Sequence, residues 1–456
     1  MPGRTAPRQL RDREEADMPD MHRRRTTRTG TALLAGLALT LAACTGQGSG
    51  GGDEGSGGGD GPTTLVLWHG MTGPDGPAVQ QIIDDFNAAQ DEIVVEPNVM
   101  PWDVLYQKVL TSLSSDGGPQ VVAMSASNVP QYASKGALAP LDDFYADDTY
   151  MDTSVLPDAA KDAAVFDGTA YGVPLNIAPM MLYWNKDLFT AAGLDPEQPP
   201  TTWDEFGAMA EKLTVDANGD GKPEQYAAAF ADHTTVPIWQ MLLWGTGGGV
   251  VSDDATTAIV DSPETLEALE FWVEQVRDKQ ASPIGLSGAD ADKLFQTGKA
   301  AMEIVGPWMT TGFDEAGLDY GLAAPPAGPA GEVTLADVVT FTVNAKASDA
   351  QQEAARTFFA YWNSVESQQT WADGSGFPPT RTDIPSGDLA NPYSAVFGDP
   401  ELLGSAKVYL AGVPGSGTIT DSIFYPALQR VLNGDGDLNE VFTQANADIQ
   451  AAIDKG

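Results

Sequence analysis

The chain has 456 residues, with 64 acidic against 24 basic side chains and a formal net charge of −40, an imbalance that speaks against nucleic acid and anionic lipid surfaces as partners. It holds one cysteine and three histidines, so no internal disulfide can form, and His-based nucleophilic triads or Cys/His zinc sites have few available members. Its length permits a large core and more than one domain.

Residues 1–43 read as an N-terminal extension followed by an export signal. Arg23, Arg24, Arg25 and Arg28 form a basic head, and Thr31 to Ala43 is an uncharged stretch rich in Leu and Ala. That stretch is about half the length of a membrane-spanning helix, which fits a cleaved signal rather than a permanent span. The charged residues ahead of it place the expected start at Met18 or Met21. The signal ends in Leu41-Ala42-Ala43-Cys44, which resembles a bacterial lipobox and makes the Cys44 sulfur the expected lipid attachment point. The Gly-rich segment within 44–62 cannot bury apolar area and is expected to be a flexible tether between membrane and folded body.

From Thr63 onward short apolar runs alternate with helical periods, the pattern of an α/β protein. Leu65-Val66-Leu67-Trp68 predicts a strand ended by a Gly/Pro-rich turn. Ala78 to Ala89 predicts a helix with Val79, Ile82, Ile83 and Phe86 on its apolar face. A strand at Ile93 to Glu96, a helix at Trp102 to Leu113 and a strand at Gln120 to Met124 continue the beginning of a doubly wound sheet, in which ligands sit beyond the carboxyl ends of strands. Trp68, His69 and Thr72 fall at one such end, and Ser125, Ser127 and Asn128 at another. For the latter three, ordinary turn capping is the competing reading. Later helices are expected at Thr202 to Leu213, Ser262 to Lys279, Ala350 to Ser364 and Leu438 to Ile453. The first of these opens with Thr202 and Glu205 in capping-box spacing, the second with Ser262-Pro263. No internal repeat appears.

Four segments carry a family likeness. Tyr171-Gly172-Val173-Pro174 precedes Leu182-Tyr183-Trp184-Asn185-Lys186-Asp187-Leu188-Phe189, Ala192-Gly193-Leu194 and Thr202-Trp203-Asp204-Glu205-Phe206. Then come Gly298-Lys299-Ala300-Ala301-Met302 with Gly306-Pro307-Trp308, Trp371-Ala372 with Ser375-Gly376-Phe377-Pro378, and Ala427 to Gly434. In order and spacing they resemble the bacterial extracellular solute-binding proteins (family 1) that include maltose-binding protein. The resemblance implies a two-lobed, type II periplasmic-binding-protein fold with discontinuous lobes: residues 63–188 plus 338–379, and residues 189–337 plus 380–456. Hinge crossings would fall near Asp187 to Ala192, Asp337 to Val343 and Phe377 to Thr382. It also implies a receptor that catalyses nothing, an extracytoplasmic monomer whose ligand-closed form is recognised by an ABC transporter permease.

A neutral di- or oligosaccharide needs aromatic plates for its C–H faces and short polar groups for its hydroxyl rim. Trp308 is the first choice of plate, because the resemblance puts it where maltose-binding protein stacks sugar. Trp239 is a second, with Asp232 and His233 in the loop before it. Asn176, Tyr183 and Asp337, at or near the expected crossings, complete the candidate set. Asp216-Ala217-Asn218-Gly219-Asp220-Gly221 resembles the opening of a calcium loop, with Asp216, Asn218 and Asp220 at alternate positions. Ala227 stands at the twelfth position where a bidentate Glu belongs, so a partial site and a plain polar turn both stay open. Three rival functions remain. Trp68-His69-Gly70-Met71 also resembles glycerol-3-phosphate-binding relatives, for which Arg381, Lys135 and His233 would have to supply the anion site. A secreted glycosidase with paired carboxylates and a surface lectin without transport are the others.

Overall fold

The computed structural model describes residues 61–455 apart from Asp116, Asp147, Thr234 and Thr235. The expected export signal, the anchor Cys44 and the tether as far as Asp60 lie outside the described residues. The strands are β1 (Thr63–His69), β2 (Ile93–Val99), β3 (Val121–Ser125), a small hairpin of β4 (Val165–Phe166) and β5 (Thr169–Ala170), β6 (Val173–Pro179), β7 (Met181–Asn185), β8 (Tyr226–Ala229), β9 (Ala300–Val305), β10 (Tyr320–Ala323), β11 (Thr334–Val343) and β12 (Ala406–Lys407).

Two sheets organise the body. One runs β12-β11-β3-β1-β2, with β6 also paired to β11; the other runs β10-β7-β9-β8. β1 lies parallel to β2 and β3, the doubly wound start expected from the sequence, while β11 enters antiparallel to β3 and β6. Helices cover the sheets, giving two α/β lobes.

The apolar stripes dictate the packing. In the helix Gly76–Ala89 the buried residues are Ala78, Val79, Ile82, Ile83 and Phe86, the face that the 3.6-residue period marks out. Phe86 meets Phe358 and Tyr361 of the helix Asp349–Trp362 edge-on, each at 5.1 Å between ring centroids, and Phe341 of β11 stacks on Phe359 at 5.1 Å. In the second lobe Trp203, Phe206, Phe230 and Trp272 form a packed aromatic group, the Trp203 and Trp272 rings 5.3 Å apart. The helix Trp203–Leu213 is capped by Thr202, whose hydroxyl accepts from the Glu205 N–H at 3.3 Å. The Glu205 carboxylate reaches back to the Thr201 N–H instead of closing the box on Thr202.

The chain changes sheets at Met180, between β6 and β7, and returns between Ala323 and Thr334. The first passage therefore precedes the Asp187 to Ala192 stretch, which instead overlaps the helix Lys186–Ala191. The cause is visible in the burial pattern: Gly172 to Asn185 is buried without interruption, so no exposed residue signals the change of sheet.

Candidate functional site

A cavity of about 1070 Å³ lies at the strand ends and is lined from both lobes. That is at the upper end for small-molecule sites, which run to roughly 1,000 Å³. From the first lobe come the turn Gly70 to Asp75 after β1, Trp102 and Tyr106 after β2, and Ser125, Ser127 and Asn128 at the end of β3. From the second come Phe230 and His233 after β8, Asp292 in the helix Gly288–Gln296, Glu303 within β9, and Trp308 just beyond it.

Two indoles stand in this lining, one per lobe, and each rests on a glycine. A Cβ at Gly70 would overlap the Trp102 ring, and a Cβ at Gly306 would overlap the Trp308 ring. Trp102 also stacks on Tyr106 at 6.0 Å with 21° between the planes. Trp308 lies 6.2 Å from Phe377, itself part of the lining. Both plates are thus set by close backbone approach, the use to which a residue without Cβ is suited.

Polar groups converge between them. In β11, Asp337 is the one residue of Thr334 to Val343 that is half-buried rather than fully buried. Its carboxylate accepts from the Ser125 hydroxyl at 2.6 Å, and the Ser125 and Ser127 hydroxyls lie 3.0 Å apart. Burial pushes the Asp337 carboxyl up, against the pull of Ser125. Asn176 of β6 also lines the cavity and accepts from the Val339 N–H at 3.3 Å. Asp75, at the head of the helix Gly76–Ala89, is pushed up to about 6 by burial, opposed by the N–H groups of Asp75 and Gly76. The Ser416 hydroxyl donates to Ser127 O at 2.6 Å, so a segment ahead of the C-terminal helices touches the first lobe at the cavity rim.

Of the residues singled out in the sequence, Thr72, Ser125, Ser127, Asn128, Asn176, His233, Trp308 and Asp337 line the cavity, and Trp68, His69, Tyr183, Asp232 and Trp239 do not. Trp68 packs against an apolar cluster built on Leu105, Val109 and Met124. His69, next in β1, is 3% exposed, and burial lowers its ring to about 4, keeping it neutral. Trp239 is 1% exposed, in a helix whose residues Ile238 to Leu243 are all buried. Asp232 is a brace: its carboxylate accepts from the Gly285 N–H at 2.7 Å and sits 2.8 Å from His233 Nδ1. Tyr183 is core, but its hydroxyl donates to Gly306 O at 2.9 Å and so holds the turn that carries Trp308. Sequence reading did not single out Trp102, Tyr106, Asp292 or Glu303 as site residues. The signal for Trp102 was Pro101 followed by a helix start at a strand's carboxyl end; Glu303, among the apolar residues of β9, gave none.

The Asp216 loop lies away from the cavity and forms a polar turn. Asp216 accepts from the Gly219 and Gly221 N–H groups at 2.7 and 2.8 Å, Asn218 from the Asp220 N–H at 2.8 Å, and Asp220 from the Lys222 N–H at 2.9 Å. Among the described residues no group of three His, Cys, Asp or Glu side chains is placed to hold a metal ion.

The family model for "Bacterial extracellular solute-binding protein" matches residues 81–397. The chain belongs to that family. A putative binding protein of Brucella abortus is 27% identical over 388 residues, covering 83% of this chain and 90% of the relative. The sn-glycerol-3-phosphate-binding periplasmic protein of the same organism is 24% identical over 323 residues, covering 70% of this chain and 74% of that one. Among solved structures, an ABC transporter solute-binding protein from Thermotoga lettingae bound with α-D-tagatose superposes with a TM-score of 0.75. It is 25% identical and covers 86% of this chain and 100% of its own. As a member of this family the chain is an extracytoplasmic binding protein of an ABC transporter, not an enzyme.

Proposed function

We propose that this solute-binding protein captures a saccharide free of anionic groups, of two or more rings, between its lobes and delivers it to a membrane permease. The observation that carries the reading is the pair of glycine-seated indoles, Trp102 and Trp308, one from each lobe in a single cavity with a rim of Ser, Asn and Asp side chains. Sugar rings offer C–H faces to such plates and hydroxyls to such a rim. The tagatose-bound relative supports the same class.

The glycerol-phosphate relative favours a second reading, against which the charges of the cavity weigh. Arg381 is outside the lining, its guanidinium held by Asp383 at 2.6 and 2.8 Å and by Asn363 O at 2.9 Å. Lys135 is exposed and also outside it. His233 is the one of the three candidate cations in the lining, and Asp232 already holds it. A phosphate dianion would find carboxylates where it needs guanidinium or free N–H groups.

A thermal-shift and calorimetric screen of neutral mono-, di- and oligosaccharides beside sn-glycerol 3-phosphate decides between the readings. A saccharide is expected to bind with micromolar affinity, about −8 kcal/mol; response to the phosphate alone would reverse the assignment. Motion of the lobes about the strand passages at Met180 and after Ala323 would close the cavity, and preference for the closed state would couple ligand to permease. We place the mature protein, as a monomer, on the outer face of the cell membrane, held through lipid on Cys44, on the strength of the basic head, apolar stretch and Leu-Ala-Ala-Cys ending. Metabolic labelling with a radioactive fatty acid should mark the chain and should not mark Cys44→Ser; equal labelling of both would remove the anchor.

A further inference from the structure

The wall formed by β9 and the helix Gly288–Gln296 holds a pair of carboxyl groups with which, among the described residues, no cation is paired. Glu303 is 2% exposed, in a strand whose other residues are Ala300, Ala301, Met302, Ile304 and Val305, and it faces the cavity. Its Oε2 is buried and receives no hydrogen bond from an N–H or hydroxyl group. The neighbouring acid is Asp292, within hydrogen-bonding reach and also in the lining. The helix that presents Asp292 is fixed by a capping box between Ser287 and Asp290, and it packs on β9.

The surrounding charged groups are otherwise engaged. Asp290 closes its own cap, and Lys293 is exposed with Nζ directed to Gln296 Oε1 at 3.4 Å. From β7, the Tyr183 hydroxyl is spent on Gly306 O; from the loop after β8, His233 is held by Asp232. Among the described residues no Lys, Arg or His forms an ion pair with Asp292 or Glu303. The lining as a whole contains Asp75, Asp103, Asp292, Glu303, Asp337 and Asp421 against one lysine and no arginine.

We propose that this wall receives the protonated amine of an amino sugar, held between Glu303 and Asp292. The proposal rests on the saccharide reading and narrows it: one ring of the ligand carries a free amine. An ammonium brings three donors and a positive charge to two acceptors that lack both, as charge-assisted hydrogen bonds require. Burial foremost, and for Glu303 next the charge of Asp292, pushes Asp292 up to about 6 and Glu303 well above the carboxylate range. In the free protein near neutral pH the two groups therefore hold one proton between them. When the amine binds, the ligand keeps its ammonium proton and the shared proton leaves to solvent, taking the pair from one negative charge to two.

The test is calorimetric titration of the chain near neutral pH with D-glucosamine, D-galactosamine, D-mannosamine and the β-1,4-linked glucosamine disaccharide. Each is run beside its hydroxyl parent and its N-acetyl form, in phosphate and in Tris. At least one amine should bind about tenfold more tightly than both counterparts. Its heat should differ between the two buffers as release of one proton demands. Glu303→Gln should abolish that advantage, so that within this variant the amine and its hydroxyl parent bind within about threefold of each other. If Glu303→Gln does not fold, the less buried Asp292→Asn reads the same loss. Hydroxyl parents binding as well as the amines, or an amine preference that survives both substitutions, would overturn the proposal and leave the saccharide reading standing. Binding by no sugar of any series would remove both.

Discussion

Trp102 and Trp308 share a device that makes their placement testable one atom at a time. Each ring occupies the space that a Cβ on Gly70 or Gly306 would need, so an added methyl must push the indole off its seat. Gly306→Ala should therefore weaken saccharide binding by about tenfold, as Trp308→Ala should, although the indole itself is retained. The overpacking should also cost about 1–3 kcal/mol of stability. Calorimetry on the two variants beside thermal unfolding checks this, and full affinity in Gly306→Ala would mean that the ring's position does not matter to the ligand. Trp308 was singled out in the sequence only through the family resemblance of its Gly-Pro-Trp segment, and it does line the cavity. Trp239 shows the limit of counting aromatics: every residue from Ile238 to Leu243 is buried, so helical spacing gives no face by which to tell a plate from core.

At the level of elements, periodicity told most about the helices and least about the sheets. Val79, Ile82, Ile83 and Phe86 were readable as a core stripe because the residues between them, Gln80, Gln81, Asp84 and Asp85, are polar, and all four are buried. The rule that ligands lie beyond strand carboxyl ends led to Thr72, Ser125, Ser127 and Asn128, all in the lining. The same rule could not find Glu303, which reaches the cavity from inside β9 rather than past its end, nor separate Trp68 and His69, which end β1 in the packed body of the lobe. The insertion of β11 between β3 and β6 joins residues more than a hundred positions apart in sequence, as Ser125 and Asp337 show with |i−j| of 212. No local pattern encodes such a pairing. Its consequence is local to the cavity, since that insertion carries the Asp337 carboxylate to the Ser125 hydroxyl in the lining.

For the molecule as a whole, burial of acids in an already acidic chain fixes how stability varies with pH. Carboxyls of the unfolded chain titrate near 4, roughly, whereas in the folded protein burial raises Asp75 and Asp292 to about 6 and pushes Glu303 well above its ordinary value. Between those values the folded state holds more protons than the unfolded one, so stability falls as pH rises through this window and is regained as pH falls. His69 acts in the opposite sense: its folded value of about 4, against an ordinary 6.5, makes the unfolded state the better proton acceptor, and stability is lost as pH falls across that interval. Asp152, Glu205, Asp216 and Asp254, held low chiefly by side-chain or backbone hydrogen bonds, lose their contribution only below the ordinary carboxylate range. With Asp337 and Asp421, which burial also raises, five raised carboxyls outweigh one lowered imidazole, and self-repulsion at a net charge of −40 weighs on the same side as the carboxyls. Scanning calorimetry should thus find Tm highest at about pH 4 to 5, just above the ordinary carboxylate range, and lower by roughly several degrees near pH 8. Glu303→Gln, which never has to give up a proton, should flatten the alkaline limb; a wild-type Tm that rises toward pH 8 would show that these acids are solvated in the folded protein and would dissolve the basis for their raised titration.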